Sequence, residues 1–142
     1  IKPTLTAKKL GKVFKCQAGV KLSKNGKSID FIFEAIRREE DWENKLVDRM
    51  KYYIDFYESF VTFDSGFEIK PQLILVAEDN KHMAEILKVI VTNKLEIPNL
   101  KLLFTTDLRQ NSDSLEKSLV EFKIDETTGK YKVEEVNLKI LG

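Results

Sequence analysis

From Phe14 onward the chain alternates: Phe14, Cys16, Ala18, Val20 and Leu22 are apolar, with Lys15, Gln17, Gly19 and Lys21 between them. A period of two predicts a strand with one buried face. Asn25-Gly26 follows, the strongest short hairpin signal. The next stretch, "IDFIFEAIRR" (29–38), is apolar almost throughout until Glu34 and predicts a strand buried on both faces. With Asn25 and Gly26 as the two loop residues, Lys24 stands opposite Lys27, Leu22 opposite Ile29, Lys21 opposite Asp30, Val20 opposite Phe31, Ala18 opposite Phe33 and Gln17 opposite Glu34. This register sets apolar against apolar and Lys21 against Asp30, as cross-strand pairing prefers.

Beyond the hairpin the period changes. Trp42, Leu46, Met50, Tyr53, Tyr57 and Phe60 recur at helical spacing, predicting a helix from about 40 to 60 with Glu39, Glu40 and Asp41 in its first turn. "FDSGFEIKP" reads as a loop and "QLILVAED" as another buried strand. Asp79 or Asn80 can cap the following helix, whose stripe is Met83, Ile86, Leu87 and Ile90; Pro98 lies past its end. "LKLLFTT" is a further strand, 107–118 a polar loop, and the tail from 118 an edge hairpin around Thr128-Gly129. Residues 1–12, rich in lysine, read as a basic lead-in or linker. The expected order is ββαβαβ and then ββ, a single α/β domain over 13–142 with a mixed sheet and two main helices.

A carboxylate within a strand buried on both faces is costly unless it has a partner or a task. Glu34 therefore poses the functional question. Arg37, Arg49 and Lys45 are the candidate ion-pair partners at the strand–helix junction. Asp30, four residues away on the same strand, is about 13 Å from it at about 3.3 Å per residue, too far to share a metal ion.

Composition narrows the function classes. In 142 residues 33% are charged, yet the net charge is +1, so there is no global basic field. The basic residues are local: Lys2, Lys8, Lys9, Lys12 and Lys15 precede the first strand, and Lys21, Lys24 and Lys27 surround the hairpin tip. Lying together they would form one positive face suited to a phosphate backbone. A single cysteine, Cys16, excludes an intrachain disulfide framework, suits a cytoplasmic setting and alternates into the apolar face. His82 is the only histidine and has no cysteine or histidine beside it, so no zinc site is assigned. No apolar run reaches membrane-spanning length and no phosphate-binding glycine loop is present. Ser65-Gly66 lacks the flanks of a nucleophile elbow. Tyr52, Tyr53, Phe56, Tyr57 and Phe60 offer either stacking surfaces for unpaired bases or, at their helical spacing, core and partner contacts.

A hairpin followed by a helix, a strand, a helix and a strand resembles the core of the restriction-endonuclease-like, PD-(D/E)xK superfamily. More narrowly, residues 17–79 resemble the C-terminal domain of the replication-relaxation proteins of plasmids and conjugative elements. "QAGVKL" stands where that family tends to read Pro-Asp-Gly, and "FEAIRR" where it reads Glu-x-Asp-Arg. "RMKYY" resembles its Lys-Leu-x-x-Tyr helix motif, with Arg49 for the lysine and Tyr53 for the tyrosine, and "KPQLILVAED" resembles the strand after it. The overlap covers a little under half of the chain.

The resemblance implies a nuclease-like site, and the departures from it imply a vestigial one. Nucleases of this class hold a hard divalent cation between carboxylates on facing strands. Between Phe14 and Leu22 there is no acid: the motif alignment places Ala18 at the Asp position, and the hairpin register places Gln17 there. Ile36 stands where a Lys or Asp would follow the Glu. The expected vestigial site is Gln17, Ala18, Glu34, Ile36, Arg49 and Tyr53, with no metal assigned. The expected function is an accessory domain of a mobile-element replication or mobilisation protein, contacting DNA weakly and non-specifically, or a protein partner, without cutting. The resemblance also implies an upstream winged-helix domain, which would suit a chain that opens at Ile1. Two alternatives remain: a Mg2+-dependent nuclease using Glu34 and Lys45, and a structural homodimer built on the aromatic helix.

Overall fold

The computed structural model describes residues 3–61, 67, 69–107, 119–124 and 131–135, with the backbone alone for Lys24, 122–124 and 131–135. Most of the expected loop at 63–71, the polar segment after Asp107 and the Thr128-Gly129 turn fall outside these residues.

The expected hairpin forms. Strands β3 (Ala18–Lys24) and β4 (Lys27–Ala35) pair antiparallel, from Ala18 opposite Phe33 to Lys24 opposite Lys27. Asn25 and Gly26 both have positive φ, 54° and 78°, as a two-residue turn between right-twisted strands requires. After β4 come α1 (Trp42–Glu58), β5 (Gln72–Ala77), α2 (Asn80–Thr92) and β6 (Leu103–Thr106). The chain closes with β7 (Val120–Ile124) and β8 (Tyr131–Glu135). One mixed sheet runs β3-β4-β5-β6-β7-β8, with β4, β5 and β6 parallel and hairpins at both ends.

Two successive crossovers step in the same direction along the sheet, so right-handed connections place both helices on one face. The core agrees with this: Leu46, Met50 and Tyr53 of α1 and Met83, Ile86 and Ile90 of α2 share one cluster with Ile32, Leu73, Leu75 and Phe104. The alternate residues Phe31, Phe33, Ile74, Val76 and Leu103 form a second buried cluster on the opposite face. Burial of both faces is why the central strands read as unbroken apolar runs.

Three expectations need correction. Residues 4–15 are not a linker but a second, two-stranded sheet: β1 (Thr4–Ala7) pairs antiparallel with β2 (Lys12–Lys15). Leu5 and Ala7 are buried in the helix-side core. The alternation from Phe14 to Leu22 belongs to two strands rather than one. Phe14 and Cys16 pack toward α1, whereas Ala18 and Leu22 pack on the opposite cluster, and the chain changes sheet at Cys16-Gln17. Finally, α1 begins at Trp42, so Glu39, Glu40 and Asp41 precede it and Glu43 is the acid of its first turn.

The β1–β2 turn is fastened to α1 by one buried carboxylate. Asp55 accepts the backbone N–H groups of Leu10 (2.8 Å) and Lys9 (3.2 Å) and the Ser59 hydroxyl (3.0 Å). Burial alone would raise the Asp55 pKa; the two N–H donors, the hydroxyl and the nearby Lys9 charge outweigh it, and the net shift is downward. A carboxyl with a depressed native pKa adds stability above its unfolded value and loses it as pH falls through the native one. Asp55→Asn is therefore expected to cost about 1–3 kcal/mol at neutral pH. The deficit should shrink below the ordinary aspartate pKa of about 3.9. Urea titrations of both proteins at pH 7 and pH 3 check this; an equal deficit at both would contradict it.

Candidate functional site

Side chains on β4 alternate between the two faces, so Ile32, Glu34 and Ile36 all point toward α1. Glu34 is buried, 5% exposed, and its Oε1 accepts the Nε–H of Arg49. Arg49 is itself oriented from several sides. Its Nη2 donates to the Lys15 carbonyl at 2.7 Å, and its guanidinium lies over the rings of Phe14 (5.1 Å to the centroid) and Tyr53 (5.7 Å). Of the three cations expected to answer Glu34, the structure selects Arg49. Arg37 bonds Asp107 at 2.6 Å and Lys45 bonds Glu39 at 3.2 Å.

The Glu34 carboxyl is not fully compensated by Arg49. Burial pushes the Glu34 carboxyl up, more than the Arg49 hydrogen bond and charge pull it down. On Arg49 burial acts the other way, and the Glu34 bond and charge outweigh it, so the guanidinium is held charged. Glu34 Oε2 and the Tyr53 hydroxyl are both buried without a well-formed hydrogen bond, although the hydroxyl is close enough to favour the carboxylate. Burial and the Glu34 charge raise the Tyr53 pKa. Cys16 is buried beside them, its thiol raised by burial and then by Glu34, and its Sγ is 3.5 Å from the Ala18 carbonyl.

The structure divides the expected site residues. Gln17, Glu34, Ile36, Lys45 and Arg49 line one open cleft of about 440 Å³, together with Lys15, Arg37 and Tyr52. The hairpin register ends at Ala18 opposite Phe33; the Gln17 N–H bonds the same Phe33 carbonyl at 2.8 Å, so Gln17 steps out of register and, against expectation, is not paired with Glu34, although both line the cleft. Ala18 is not part of the site: it packs on the opposite face of the sheet, so an acid there would point away from Glu34. Tyr53 lies beneath the cleft in the core, fully buried.

The lysines do not form one face. Lys12 and Lys15 flank the cleft side of the β1–β2 sheet, and Lys12 Nζ stands 5.8 Å from the Tyr52 ring centroid. Lys21 and Lys27 lie toward the far end of the β3–β4 hairpin, up to about 20 Å along β3 from its start. Lys21 Nζ is also 4.0 Å from Asp30. The Lys24 side chain lies outside the described residues. The aromatic stripe of α1 is largely spent internally, with Tyr53, Phe56 and Tyr57 at 0–4% exposure.

The residues present do not fit a divalent cation. The one bonded oxygen of Glu34 is taken by a guanidinium, and no group of three or more His, Cys, Asp or Glu side chains among the described residues is placed to share a metal.

A second charged cluster, not foreseen from the sequence, joins the C-terminal ends of the parallel strands. Arg38 bonds both Asp79 oxygens (3.0 and 3.1 Å) and Glu85 (2.8 Å), and its N–H donates to Glu78. Asp79 also caps α2 through the His82 N–H at 2.7 Å, and Arg38 pulls its carboxyl down to about 2. His82 is fully buried against Trp42, its Nδ1 accepting the Glu78 N–H; burial, then Arg38, lowers its pKa. Its place is structural, between the two helix starts. The signal was Asp79 at a helix start, but its partner Arg38 is 41 residues away in sequence.

The chain matches no protein-family model, no curated protein and no solved structure.

Removing one member of a buried ion pair strands the other, at about 3–5 kcal/mol. Glu34→Gln and Arg49→Met are each expected to lower stability by that order, and Glu34→Leu/Arg49→Met by much less than the sum of Glu34→Leu and Arg49→Met. A double-mutant cycle in urea measures the coupling; additive losses would show that the two side chains do not act as a pair.

Proposed function

We propose that this domain is a non-cleaving accessory module of a mobile-element DNA-processing protein, with a restriction-endonuclease-like core. Its nuclease-type carboxylate is committed to an arginine. The observation that carries the reading is the Glu34–Arg49 bond at the floor of the cleft. The chain order β3-β4-α1-β5-α2-β6 and the presence of Gln17, rather than an acid, beside Glu34 in the cleft support it. In a nuclease of this type the carboxylate would hold a cation that activates water and neutralises charge building on the phosphate. Here the positive charge beside Glu34 is a guanidinium, which contacts phosphate but brings no water to attack it. The alternative nuclease reading needs Lys45 near Glu34, and its ammonium is instead on Glu39.

The module contacts DNA through lysine and arginine side chains, with a replication or mobilisation protein as its other partner. Binding carried by charge falls steeply with salt. Two expected outcomes follow from the reading. Supercoiled and linear DNA stay intact on incubation in Mg2+ or Mn2+, and Glu34→Gln behaves identically. Fluorescence anisotropy with DNA shows binding at low salt that is lost toward about 0.2 M. Cleavage by the parent that vanishes in Glu34→Gln would replace this reading with the nuclease.

A further inference from the structure

Arg49 is a pre-oriented cation. Glu34 holds its Nε, the Lys15 carbonyl holds Nη2, and the Phe14 and Tyr53 rings pack against it. The Tyr53 hydroxyl is close to the guanidinium as well, and the Arg49 side chain is still 28% exposed in the cleft. The conformational entropy that a flexible arginine loses on gripping an anion is here lost on folding.

The surroundings suit a particular anion. The ammonium of Lys15 makes no ion pair among the described residues, and Lys45 lines the same wall. The opposing acids are Glu39, occupied by Lys45, and Asp48. Tyr52 and Trp42 line the cleft from positions ten residues apart on α1, about 15 Å along its axis, with Arg49 and Lys45 between them. A cationic floor between two aromatic platforms is the arrangement that binds an unpaired strand, phosphates on the cations and bases on the rings. A duplex keeps its bases stacked inside and cannot bring a phosphate to the cleft floor while offering its bases to the walls.

Resting on the DNA-contact reading above, we infer that the Glu34–Arg49 cleft binds single-stranded nucleic acid. A backbone phosphate sits on Arg49 and Lys15, and adjacent bases stack on Tyr52 and Trp42. Glu34 is a positioning residue: it aims the guanidinium and touches no nucleotide.

Fluorescence anisotropy with a labelled oligothymidine and with a duplex of equal length tests this on the parent protein, Lys15→Gln, Tyr52→Ala and the hairpin-tip variant Lys21→Gln/Lys27→Gln. The parent is expected to bind the single strand more tightly than the duplex. Tyr52→Ala should weaken single-strand binding about ten-fold. Lys15→Gln should reduce the slope of log K against log salt by about 0.7. The hairpin-tip variant should bind as the parent does. Lys15 is exposed, so its variant keeps the test informative if Tyr52→Ala fails to fold. Binding that ignores both cleft substitutions but falls in the hairpin-tip variant would overturn the inference and leave the DNA-contact reading standing. Absence of binding to either DNA at low salt would overturn both.

Discussion

An ionised carboxylate in a strand covered on both faces cannot stay unpaired, and much of the region around Glu34 follows from that constraint. The cation must come from the element packed on the same face, which is α1, and it must reach the strand without a lysine's mobility. Arg49 does so with its guanidinium against the Phe14 and Tyr53 rings, themselves packed edge to face, which ties the β1–β2 sheet to the helix. The Lys15 carbonyl completes the set of acceptors. A pair of charges thus organises three separate elements: β2, β4 and α1.

The same pair decides what the cleft can do. A carboxylate with free oxygens facing another acid invites a metal; one that holds a guanidinium presents positive charge outward instead. The Glu34 position is compatible with either outcome, and the residues beside it in the cleft select between them. Gln17 adds no negative charge, so the arginine has no competitor.

Much of this was legible in sequence because it is local. The Asn25-Gly26 turn sets the β3–β4 register by its own geometry, and the period change near residue 40 marks α1 within two residues. The ion-pair partner of Glu34 was narrowed to three cations, since only a few lie within reach of the strand end. The β1–β2 sheet was hidden for physical reasons. Its strands have four residues each, Leu5 and Ala7 are its only core residues on β1, and the carboxylate that fastens its turn is 45 residues away. The Arg38 cluster was hidden in the same way, because its charges meet only when β4 and β5 lie side by side. Splitting one apparent strand at Cys16-Gln17 defeated the periodicity argument, which counts faces but not sheets.

The attachment of β1 and β2 also bears on where this folding unit begins. Trimming the chain at residue 13, as its lysine-rich lead-in invites, would remove Leu5 and Ala7 from the core and the two N–H donors of Asp55. It would also take away the strand against which β2 pairs, leaving Phe14 and the Lys15 carbonyl without a fixed frame. Arg49 would then keep its salt partner but lose one of its hydrogen-bond acceptors and the ring above it. The arginine's needs thus place β1 and β2 inside the domain, ahead of where the hydrophobic pattern becomes regular.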